Sequence, residues 1–183
     1  MAERIDITEI KIYNNHYTNL IKIDMNLVSG SDDMSKITLI QDQEFTNRAE
    51  ISEFLGGNPQ SGITMSSKTE AILLFKNEEE LYSDYFYPRG THDYCMYTGI
   101  GRKGHQDSLN NKMYDLNIAV LSHKRSHKSL LLFEKRKSKY YFVGEYELTE
   151  THQNIQPDDK NFLRRVFIFH LKKVSNTIEI ELF

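Results

Sequence analysis

The chain has 183 residues, 39% apolar and 11% aromatic with no Trp, enough for one domain, or one domain with an extension, around a proper core. No apolar run nears the ~18–20 residues that span a bilayer, the start MAERIDITEI is too charged for a secretory signal, and the single Cys95 excludes an internal disulfide or a cysteine-based zinc site. The net charge of −3 argues against a generic nucleic-acid binder and leaves a soluble cytoplasmic protein with no membrane partner as the expectation.

In chain order, ITEIKIY (7–13) and LIKIDMNLV (20–28) alternate apolar and polar residues, as half-buried strands do. KITLIQ predicts another short strand. FTNRAEISEFLGG has helical spacing, with Thr46 or Asn47 as cap and Gly56 as terminator. NPQSG reads as a loop and AILLF (71–75) as a buried strand. KNEEELYSDYFYPRGTHD is polar and aromatic without a period, and reads as a long loop. YCMYT is a short strand in which Cys95 is a buried structural thiol. SLLLFEK and YYFVGEYEL are neighbouring strands joined by a turn at RKSK. After the loop QPDDKN come strands RRVFIFHLKKV and TIEIELF. Many short strands with one or two helices suit a compact barrel or curled sheet, an α+β chain.

Charge is unevenly placed. Arg102 to Lys139 holds ten Lys and Arg against Asp107, Asp115 and Glu134, a balance of +7 that leaves about −10 elsewhere. Such asymmetry points to a polyanion partner. The segment opens on YTGIGRKGHQ, whose Gly99, Gly101 and Gly104 have G-x-G-x-x-G spacing. A dinucleotide site needs a helix straight after the third glycine and a parallel strand ending in an acid about 20 residues on. Here His105-Gln106-Asp107-Ser108 follows, and Glu134 lies on a strand that turns straight back as a hairpin. No cofactor is expected. His123 and His127 stand at i, i+4, but KRSHKS is a poor helix, so solvated histidines are expected rather than a metal site. Glu134-Lys135-Arg136 lacks the offset and the aspartate of a restriction-type nuclease. No enzyme is expected.

Read together, several stretches resemble the SRA (SET- and RING-associated, or YDG) domain. They are RAEISEFLGGNPQSGI (48–63), YTGIGRKGHQ, the N-x-A element at Asn117, SLLLFE, YYFVGEYEL, and Pro157-Asp158 through Arg164-Arg165. The pattern is nearest to the SRA-like domains fused to McrA-type HNH restriction endonucleases. It gives residues 1–44 as a strand-rich extension and 45–183 as the SRA-like domain.

The resemblance implies a PUA-like curled β-barrel with one or two flanking helices. It also implies a non-catalytic reader of 5-methyl- or 5-hydroxymethylcytosine in duplex DNA, working by base flipping, with a nuclease domain or subunit elsewhere. A flipped base needs aromatic faces and a polar group for its Watson–Crick edge. Tyr82 and Tyr97 are the expected stacking residues. Asp84 is the expected reader, because a carboxylate accepts from the amine of cytosine; Asp93 and Glu80 are alternatives. Thr98 and Gly99 complete the pocket. Gln60 and Ser61 occupy an inserting loop, and Gly99 and Gly101 let backbone approach DNA. Arg102, Lys103, Lys124, Arg125 and Lys128 are the expected phosphate contacts. The short stretch from the glycines to Gln106 argues against hemimethyl specificity. A PUA-like RNA-binding module and a small nuclease are the alternative readings, and the oligomeric state is left open.

Overall fold

The computed structural model describes residues 23–24, 36–77 and 82–183. The strand expected at 7–13, and most of that at 20–28, lie outside them. The elements run β1 (Ile23–Asp24), β2 (Lys36–Ile40), β3 (Glu44–Phe45), α1 (Arg48–Leu55), β4 (Ile63–Met65), β5 (Ala71–Lys76), β6 (Tyr85–Tyr87) and β7 (Tyr94–Thr98). There follow α2 (Tyr114–Ser122), β8 (Ser129–Arg136), β9 (Lys139–Pro157), β10 (Leu163–Ser175) and β11 (Thr177–Glu181).

Local sequence explains most boundaries. Asn47, in extended backbone, accepts from Glu50 N–H at 3.1 Å, and the Glu50 carboxylate reaches back to Thr46 N–H. This reciprocal capping starts α1. Gly56 ends it, donating to Ser52 O at 2.8 Å. The aromatic segment expected as one long loop contains β6, which pairs Tyr85–Tyr87 with Met96–Tyr94. Alternation there is masked because both faces carry tyrosine or phenylalanine.

Two sheets form. One is β1-β2-β11; the other follows β4-β5-β8-β9-β10-β7-β6, with β3 on β9. The larger sheet curls without closing. Its curl has a visible cause in Gly144, with φ at +149°, beside a register shift between Leu132 and Phe133 of the partner strand. A Cβ there would stand 2.5 Å from Ser175 O, so only glycine lets β9 bend against β10.

The curl separates two cores. Inside it, Ile72, Leu74, Leu130, Leu132 and Phe169 pack with α2. Outside, Leu73, Leu131 and Phe133 pack with α1 and with Ile37, Leu39 and Ile180 of the small sheet. So β2, which the sequence put in the extension, packs with Phe45. Apolar residues on both faces explain why all of β5 is buried. Its pairing with β8 is parallel, from Ala71 with Ser129 to Lys76 with Glu134, the usual setting for a strand buried on both sides. The crossover between them spans 77–128. Lys76 Nζ meets Glu134 at 3.2 Å, and Arg136 Nε meets the same carboxylate at 2.8 Å.

Candidate functional site

A pocket of about 430 Å³ opens where β5 and β7 end beside the loop before β4. Of the expected base-pocket residues, Tyr82, Asp84, Tyr97 and Thr98 line it. So do four expected DNA contacts, Gln60, Ser61, Gly101 and Arg102. The β6–β7 pairing sets Asp84, just before β6, beside the end of β7, and Thr98 N–H donates to Asp84 Oδ1 at 2.7 Å.

Tyr97 is fixed. It is 2% exposed, and its hydroxyl donates to Gly62 O at 2.8 Å and lies 3.3 Å from Phe75 O. This bond ties β7 to the chain entering β4 across the open side of the curl. Burial pushes the Tyr97 phenol well above its ordinary value, so it stays a donor. The ring is therefore a wall of the pocket. Phe75 contributes a second aromatic wall.

Arg48 was read in the family motif but given no role. Its guanidinium lies 4.9 Å from the Phe75 ring centroid and 5.4 Å from that of Tyr140, a cation–π arrangement. Nε donates to Tyr140 Oη at 2.9 Å and Nη1 to Ser61 O at 3.1 Å. The arginine thus clamps the Gln60–Ser61 loop. Its position one residue after a helix cap was the available signal.

Gly99, expected in the pocket, is buried and is not among the residues that line it. A Cβ on it would meet Gln106 Oε1 at 2.6 Å and Asn117 Oδ1 at 2.8 Å. The glycine makes room for an internal clamp. Asn117 pairs with both backbone groups of Ile100, each at 2.9 Å. Gln106 accepts from Phe167 N at 2.9 Å and donates to Gly99 O. Arg164, 1% exposed, donates to Gly101 O. The Gln and Asn of the family pattern thus act as staples of the loop.

The expected phosphate contacts divide. Arg102 stands at the pocket. Lys103 is exposed on the next turn. Lys124, Arg125 and Lys128 follow the far end of α2, which closes six residues past Leu116, a pocket-lining residue; at 1.5 Å per residue that end is about 9 Å from it. Lys124 pairs with Glu147 at 2.9 Å, and Lys128 pairs with Glu70.

His123 is not solvated. It is 5% exposed. Its Nε2 accepts from Leu148 N at 3.1 Å and its Nδ1 lies 3.0 Å from Lys128 O, a neutral ring with the proton on Nδ1. Burial lowers its pKa. Cys95 is fully buried, and burial pushes its thiol well up. Among the described residues no three His, Cys, Asp or Glu side chains gather to hold a metal, and no helix is long and apolar enough to cross a membrane.

Among the described residues, a curled sheet with two helices and a pocket where β5 and β7 end is the architecture of an α+β, PUA-like SRA domain. The family model described as "ScoMcrA-like, SRA domain" matches residues 41–181, and the chain belongs to that family. Solved structures agree on the fold. The Type IV phosphorothioation-dependent restriction endonuclease ScoMcrA superposes with a TM-score of 0.60 at 21% identity, over 75% of this chain and 28% of that one. The sulfur binding domain and SRA domain of ScoMcrA, complexed with phosphorothioated DNA, give 0.59 at 20%, over 74% and 40%. The SUVH5 SRA–methylated CHH DNA complex gives 0.54 at 19%, over 75% and 90%. The chain thus spans well under half of either ScoMcrA structure. No curated protein matches it.

Proposed function

We propose that this chain is a non-catalytic reader of modified cytosine in duplex DNA. It takes a flipped base into the pocket and directs a nuclease domain or subunit to the modified site. The observation that carries the reading is Asp84, fixed by Thr98 N–H through Oδ1 and lining a pocket walled by Tyr97 and Phe75. A flipped pyrimidine presents an exocyclic amine that a carboxylate accepts, and two ring faces that aromatic walls cover. Tyr82 lies beside Asp84 to cover the base from the loop side. Gln60 and Ser61 would meet the space the base leaves, and Arg102 and Lys103 the phosphates. The solved SUVH5 and ScoMcrA complexes with modified DNA support the reading by shared fold.

The test is a titration of duplexes carrying one 5-methylcytosine, one 5-hydroxymethylcytosine or neither. Asp84→Asn keeps an acceptor for Thr98 N–H but can turn a donor toward the base. A hydrogen bond to a charged group contributes about 1.5–3 kcal/mol, so this variant should weaken modified-duplex binding by roughly 10- to 100-fold and leave unmodified duplex unchanged. Equal affinity of the parent protein for all duplexes, with tighter binding to RNA, overturns the reading.

A further inference from the structure

The β9–β10 hairpin ends in a rigid tip in which Asp158-Asp159-Lys160-Asn161 is followed by the apolar pair Phe162 and Leu163. Asp158 organises it: Oδ1 accepts from Lys160 N at 2.8 Å and Phe162 N at 3.0 Å, while Asp158 N donates to Phe162 O at 2.9 Å. Phe162 is 68% exposed and Leu163 71%. The glycine loop is stitched to the same tip. Arg165 Nε meets Asp107 at 2.8 Å, Arg165 N donates to His105 Nδ1 at 3.0 Å, and Gln106 N donates to Arg165 O at 2.9 Å. Asp159 N reaches Arg102 O at 3.5 Å. Loop and tip therefore form one unit at the pocket rim. Nine large apolar side chains are exposed among the described residues, and three of them, Ile155, Phe162 and Leu163, lie on the end of this hairpin. Single exposed apolar side chains are ordinary, but a cluster marks a contact surface.

We propose that the β9–β10 hairpin tip is a second contact with the duplex, wedging Phe162, with Leu163 beside it, against base pairs next to the flipped nucleotide. The inference rests on the base-flipping reading above. Removing a base from the stack leaves its neighbours with uncovered faces, and apolar wedges commonly occupy such steps. Reach fits. Phe162 is three residues from Asp159, at most about 10 Å, or about three steps of duplex at ~3.4 Å each. Charge allows it: Arg102, Lys103 and Lys160 around the tip outnumber the exposed Asp159, and the Asp158 carboxylate is taken up by Lys160 N and Phe162 N. A rigid tip loses little further freedom on docking.

The chain has no tryptophan, so Phe162→Trp places a single indole at the contact. Its emission should be quenched as duplex binds. Phe162→Ala should weaken binding of the modified duplex by about ten-fold and that of the unmodified duplex, whose bases stay stacked, by less, with the salt slope unchanged because no charge is lost. Unchanged tryptophan emission at saturating duplex overturns the proposal. So does parental affinity in Phe162→Ala, which would assign the patch to a protein surface. Quenching without preference for the modified base keeps the hairpin contact and overturns the pocket reading instead.

Discussion

The loop from Gly99 to Gln106 and the turn from His123 to Lys128 each carry several polar side chains, yet they use them differently. In the glycine loop Gln106, Asn117 and Arg164 hold the carbonyls of Gly99, Ile100 and Gly101 and the N–H of Ile100 from inside. That leaves a stiff edge with Arg102 at the pocket. In the turn, the buried ring of His123 fixes the backbone of Lys128 and Leu148, and the flanking lysines pair with Glu147 and Glu70. Positive charge in a sequence is thus a poor guide to a binding face until neighbouring acids are located. Buried amide staples are the better guide to which loop is built to stay in place.

Removing a staple should have the largest effect. Asn117→Leu would leave both backbone groups of Ile100 buried and unpaired. At about 1–3 kcal/mol for each, it should lower stability by about 3 kcal/mol, or roughly 6–12 °C in Tm, with loss of modified-duplex binding. A parental melting curve would break the comparison.

The turn should show a smaller, pH-dependent effect. The folded pKa of His123 is depressed, so its contribution is present above the unfolded value of ~6.5 and is lost as pH falls below it. His92 is depressed in the same direction. The carboxylates paired here, Glu44, Asp107 and Glu147, are held low and matter only below about pH 4. Stability should therefore fall between pH 7 and pH 5. His123→Gln should flatten that slope without removing it, at a loss of about 1 kcal/mol at pH 7.5. An unchanged slope by thermal melting would place the titration elsewhere.

The smallest effect sharpens the contrast in charge. Arg102→Ala should reduce the salt slope of duplex binding by about 0.9. Lys124→Ala and Lys128→Ala should leave it unchanged, since exposed ion pairs contribute about 0–1 kcal/mol to stability and neither lysine stands at the pocket. Equal slopes in all three variants would erase the distinction.

The sequence made some of this legible. Asn47 before an apolar-periodic run marked α1, and RKSK between two apolar runs marked the β8–β9 hairpin. α2 carried no clear signal because Asn117, a polar residue, faces its buried side. The outer part of β9, THQNIQ, lacks alternation because both of its faces are exposed. The parallel β5–β8 pairing joins residues 58 positions apart, and no local pattern reports it. Asp84 and Tyr97 were legible as residue types in a family pattern. Arg48 and the clamp on Gly99 depend on packing between distant segments and were not.

The crossover between β5 and β8 carries a consequence for how specificity can change. Ten of the seventeen pocket-lining residues, Asn77 through Leu116, belong to it. The two strands that launch and receive it are paired with each other in the core. The segment is a cassette: its two ends are fixed side by side, and β7 docks back onto β10 through Ile168–Lys172. Side chains that the cassette leaves exposed, such as those of Arg102 and Lys103, can therefore be exchanged for others with the strand pairing beneath left intact.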